Sequence, residues 1–200
     1  MGLFSRLFGS HKSAEMATVT TTHKTTVQNP FQIDNPVIGF LNLRGGASEE
    51  AMKADRKILE PLFGEVYESY REVPKCTVLF LYTDVDSTGK IIGRRDGLRE
   101  IVKAARAYIA VVASENPPDN YMKCLGPRDD WPANVTLTVD RKGDKLPRFF
   151  AKLFQRMFAG KSMLIAWIEL APQIPGRDQP DVPGTIMAAE AGHLVFGRGG

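Results

Sequence analysis

Apolar and polar positions alternate along the chain in blocks of strand length and helix length. Residues 37–43, 77–82, 108–113 and 163–170 are short apolar runs, 134–139 is a strand-length run of β-branched residues with alternation, and between them apolar residues recur at helical spacing. A helix opened by Ser48 carries Met52, Leu59, Leu62 and Phe63 on one face, with Pro61 and Gly64 near its end. Asp96 stands as N-cap to a helix through Ala107 whose inner face is Leu98, Ile101, Val102 and Ala105. Pro147 suits the first turn of the clearest helix, with Phe149, Phe150, Leu153, Phe154, Met157 and Phe158 as its apolar stripe and Gly160 as its stop. After a proline-rich loop from 172 to 183, residues 185–191 read as a short helix and 193–196 as a last strand.

Strands that are apolar throughout, alternating with helices, imply a sheet buried on both faces and mainly parallel. Right-handed crossovers then restrict the topology to doubly wound forms. The predicted fold is therefore a doubly wound α/β domain over residues 35–200, built on a mainly parallel five-stranded sheet with helices on both faces. In such sheets ligands bind beyond the carboxyl ends of the strands, where strand order reverses.

Residues 1–34 read as a flexible tail with a short amphipathic start. Leu3, Phe4, Leu7 and Phe8 share one face of a short helix, with Ser5 and Arg6 opposite. That face is either a weak docking or membrane-touching peptide or a frayed terminus. Six threonines between Thr18 and Thr26 follow, with almost nothing to bury, which reads as a linker.

Composition changes this picture little. A net charge of +3 is too mild to argue for nucleic acid or anionic lipid. Ser5 and Arg6 interrupt the apolar run that a secretion signal needs, and no later run approaches a membrane span. Cys76 and Cys124 lack metal-like spacing, so two reduced thiols in a cytoplasmic protein fit better than a disulfide framework.

Candidate chemistry gathers at the predicted strand ends. Arg44-Gly45-Gly46 leads the first strand into a helix start, either an anion-binding turn or a tight connection. Glu49 and Glu50 in that first turn favour the connection. The second strand ends in Asp84 and Asp86. The pair matches the opening of a Mg-dependent phosphatase, but Asp129 and Asp130 are a forced choice for the distal acidic pair. Calcium-loop spacing from Asp84 fails at Arg95, where a bidentate Glu belongs, and an ordinary solvated turn is the simplest reading. Arg148, Lys152 and Arg156 form a basic stripe that reads as a solvated face. Glu190 and His193 have no third ligand, and no Ser–His–acid group emerges; neither metal nor cofactor is predicted.

The third strand brings Ser114, Glu115 and Asn116 to the same rim. Segments 39–46 (GFLNLRGG), 80–91 (FLYTDVDSTGKI) and 104–125 (AARAYIAVVASENPPDNYMKCL) resemble, in order, three landmarks of Toll/interleukin-1 receptor (TIR) domains. The similarity spans about residues 37–125. It implies a five-stranded parallel sheet, self-association and, in some members, NAD hydrolysis by a Glu on the helix after the third strand. This chain departs there: residues 117–128 contain no Glu, and Asp119 comes too early. The expected function is a cytosolic binding or signalling module. It would recognise a protein partner or nucleotide-like ligand through Arg44, Gly45, Gly46, Asp84, Asp86, Ser114 and Glu115. The alternatives are an NAD-cleaving TIR relative and a phosphatase using Asp84 and Asp86.

Overall fold

The structure, a computed structural model, describes residues 31–120, 131–171 and 182–197. The amphipathic start, the threonine-rich linker, Cys124, Asp129 and Asp130 lie outside the described residues. In chain order the strands are β1 (Phe31–Asp34), β2 (Val37–Asn42), β3 (Glu65–Ser69), β4 (Val78–Tyr82), β5 (Ile109–Glu115), β6 (Asn134–Asp140), β7 (Gly184–Ala189) and β8 (Leu194–Gly197). The helices are α1 (Glu49–Leu59), α2 (Leu98–Ala105), α3 (Lys145–Phe158) and α4 (Met163–Leu170).

The main sheet has six strands in the order β3-β2-β4-β5-β6-β7, not the five expected. Neighbours from β3 to β6 run parallel, and β7 runs antiparallel to β6. Phe40, Phe80 and Val111 face a core shared with α1, α3 and α4, while Leu79, Leu81 and Val112 face α2. The period-two alternation thus feeds two apolar layers, which is why these strands read as continuous apolar runs. On α3 the stripe closes over the sheet, with Phe80 and Phe150 meeting edge to face at 5.4 Å. Gly160, at φ +87°, ends that helix. Gly39 is required by space: a Cβ there would stand 2.7 Å from the Cys76 sulfur.

Three elements differ from expectation. Residues 163–170 are a helix, α4, not a central strand. Met163 and Ala166 are buried, with Trp167 and Leu170 packed on the same core, whereas Ile165 and Ile168 are exposed. An eight-residue apolar run fits a buried strand and a helix equally, and here the i, i+3, i+4, i+7 face decides. Residues 184–189 are strand β7, not a helix, because pairing with β6 overrides the helix preference of Met187, Ala188 and Ala189. Gly97, not Asp96, caps α2, its amide donating to Glu100 Oε2 at 2.8 Å, while Asp96 pairs with Arg94. Two strands were not expected at all. Edge strand β3 is short and carries Glu65 and Glu68, and β1, inside the stretch read as tail, pairs in parallel with β8.

Candidate functional site

Strand β3 lies on one side of β2 and β4 on the other, so strand order reverses between β2 and β4. At their carboxyl ends, with those of β5 and β6, is a cavity of about 150 Å³ lined by Arg44, Ser48, Tyr82, Ser114, Glu115 and Arg141. Three of these residues, Arg44, Ser114 and Glu115, are among those the sequence singles out.

The first wall is the turn after β2. Buried Asn42 organises it: its Oδ1 accepts from the Arg44 amide at 3.0 Å and the Ser48 hydroxyl at 2.9 Å, and its Nδ2 donates to Gly45 O. Gly45, at φ +76°, makes the sharp bend a side chain would strain. Gly46 has a negative φ and open space around it, and neither glycine lines the cavity. Arg44 Nε lies 3.1 Å from Asp84 Oδ2, joining the ends of β2 and β4. Both side chains are more than a third exposed, so this pair orients more than it stabilises.

Beneath the cavity is a buried ionic network that sequence reasoning missed. Asp55 sits on the inward stripe of α1 between Met52 and Leu59, fully buried. Arg141, just past β6, grips it bidentately, with Nη1 2.9 Å from Oδ2, and donates also to Ala113 O at 3.1 Å. Tyr82, the last residue of β4, donates its hydroxyl to Asp55 Oδ2 at 2.6 Å. Burial pushes the Asp55 carboxyl above its ordinary range, against the pull of Arg141 and Tyr82. Burial, with the Asp55 charge, also raises the Tyr82 phenol. Arg141, desolvated but bonded to Asp55, is held in its charged form. Because all three bonds to Asp55 come from donors, the ionised carboxylate is the state this geometry fits. The signal was a carboxylate on an apolar helical stripe.

The opposite wall is the end of β5. Of the three buried hydroxyls lacking a hydrogen-bond partner among the described residues, only Ser114 lines the cavity. Exposed Glu115 accepts from the Arg141 amide at 3.2 Å. Buried Asn116 ties the loops together, accepting from Val85 N at 2.9 Å and donating to Ser114 O at 2.8 Å.

Asp86 does not join this group. Its Oδ1 accepts from the Thr88 amide and hydroxyl, both at 2.7 Å, and from Lys90 N, closing its own turn and lowering its carboxyl. Among the described residues no three His, Cys, Asp or Glu side chains cluster as metal ligands. Glu190 pairs with Arg99 and His193 with the Ser162 hydroxyl, so they form no common site. In the basic stripe, Arg148 pairs with Asp144 and Arg156 with Glu169. No described helix is long and apolar enough to cross a membrane.

Compared with known proteins, the chain matches no family model and no curated protein.

Proposed function

We propose that the protein is a cytosolic binding or signalling module of doubly wound, flavodoxin- or TIR-like topology that holds a nucleotide-like ligand in the cleft at its strand ends. The observation carrying this reading is the convergence of four strand ends on one cavity whose floor is the fixed Tyr82–Asp55–Arg141 network. Groups locked by buried partners make a preorganised surface rather than a solvated rim. The strand order, with its reversal between β2 and β4, supports the topology, and β7 is an antiparallel addition to it.

The size and charge of the cleft narrow the ligand. About 150 Å³ admits a sugar or phosphate group but not a whole nucleotide. The guanidiniums of Arg44 and Arg141 are already offset by Asp84 and Asp55, and Glu115 adds a negative charge. A free phosphate is therefore poorly matched. Sugar hydroxyls suit the cleft better, donating to Glu115 and meeting the unpartnered Ser114 hydroxyl, with base and phosphate lying along the rim. A protein partner docking on that rim is the alternative within the same class.

Calorimetric titration of the full chain with AMP, ADP-ribose and NAD tests the reading. Binding should be present in wild type and weakened at least tenfold by Glu115→Gln and by Ser114→Val, with melting unchanged. No heat with any of the three, or equal binding by both variants, would remove the proposal.

A further inference from the structure

At the opposite end of the sheet, where β2 and β3 begin, is a groove of about 660 Å³ lined by Pro36, Pro61, Leu62, Phe63, Glu65 and Phe158. Its volume is within the range of small-group binding sites, and its lining sets apolar Pro36, Pro61, Leu62, Phe63 and Phe158 beside polar Asn35 and Glu65. Phe63 is buried against Phe154, Phe158 and Phe196, so the floor is rigid, while Leu62 and Phe158 are only half-buried. The groove lies far from the strand-end cleft, and nothing in the proposed ligand reading uses it.

We infer that this groove is the docking site of the chain's own N-terminal segment, with Leu3, Phe4, Leu7 and Phe8 entering it. The segment can reach the groove. Strand β1 starts at Phe31, and Asn35, just past its end, lines the groove, so the described chain begins only about 13 Å away, four residues of strand. The 22 residues between Phe8 and Phe31 span about 25 Å as a coil, more than enough to return. Tethering at that length gives an effective concentration on the order of millimolar, so a weak intrinsic affinity suffices.

The chemistry of the two also matches. The spacing of the segment's four large apolar side chains would put them on one face of a helix. Its one charged side chain is Arg6, and the one charged residue lining the groove, among the described residues, is Glu65. The apolar wall of Leu62, Phe63 and Phe158 therefore suits the segment's apolar face, and Glu65 suits its charge. A second copy of the chain or a membrane would have to compete with an intramolecular partner already tethered nearby.

Paramagnetic broadening in the full chain tests this directly. A spin label at Ser5→Cys, in a Cys124→Ser background, sits on the segment's polar face and leaves the apolar one intact. Amide signals of Gly64 and Glu65 should lose most of their intensity, while Gly89 at the far rim keeps its own. Phe4→Glu with Leu7→Glu, or Leu62→Glu in the groove wall, should restore them with the fold unchanged. Unbroadened groove signals, or broadening that survives Phe4→Glu with Leu7→Glu, overturns the inference. Broadening only between labelled and isotope-labelled molecules in a mixture assigns the groove to a second copy instead. Absence of groove broadening with sedimentation of the chain on anionic vesicles assigns the segment to a membrane. Either of these also overturns it.

Discussion

Replacing Arg141 by Met probes the network under the cleft. The substitution deletes the bidentate grip on Asp55 and the bond to Ala113 O, leaving the carboxylate with Tyr82 alone. Asp55 has no exposed surface through which water could replace Arg141. Removing one partner of such a pair costs roughly 3–5 kcal/mol, because the other charge stays buried and unpaired. The cost depends on pH with a definite sign. In the native chain burial already pushes the Asp55 carboxyl up while Arg141 opposes it; without Arg141 it rises further. The folded variant then holds a proton that the unfolded chain releases, so its stability falls as pH rises through that window, by up to about 1.4 kcal/mol per unit. Urea unfolding of wild type and Arg141→Met at pH 5 and pH 8 should show a gap several-fold wider at pH 8. Adding Asp55→Asn should remove most of that pH dependence. A loss below about 1 kcal/mol, or one equal at both pH values, would mean that Asp55 is already neutral or solvated and would refute the reasoning.

Three further outcomes follow from the core and the site. Phe150→Ala and Leu153→Ala should each lower stability by roughly 2–5 kcal/mol in urea unfolding, since both side chains are fully buried between α3 and the sheet. In a Cys124→Ser background, native Cys76 should resist thiol reagents at pH 8 and react fully once unfolded, because burial pushes its thiol up to about 12. Incubation with NAD should release no nicotinamide. Among the described residues Glu115 is the one carboxylate lining the cleft, and an exposed residue at the strand end is a poor platform for stabilising the positive charge that develops on the ribose as nicotinamide leaves. Robust turnover lost in Glu115→Gln, with folding intact, would make Glu115 catalytic and replace the binding-module reading.

Much of the sheet is legible because its central strands must be apolar on both faces, and β2, β4 and β5 carry that demand openly, while β6 shows as alternating β-branched residues. Strand polarity alone also brings Arg44, Ser114 and Glu115 to one cleft, since the carboxyl ends of parallel strands share an edge. What escapes reading depends on tertiary partners. Met163–Leu170 is apolar nearly all round, so neither period stands out, and only its packing on α3 makes it a helix. Gly184–Ala189 holds helix formers only at Met187, Ala188 and Ala189, and it becomes a strand because β6 offers an edge to pair with. Asp55 and Arg141 are 86 residues apart and meet only because the Arg141 side chain, past the end of β6, reaches Asp55 on α1. A charged residue on an otherwise apolar helical face was visible, but its partner was not.

The most direct test of the central claim is amide chemical-shift mapping of the full chain during titration with ADP-ribose. The account predicts saturable shifts concentrated at residues 44–48, 82–84, 113–116 and 141, around the cleft, and none at the groove residues 61–65. Shifts scattered over the surface, absent at saturating ligand, or centred on the groove would contradict it.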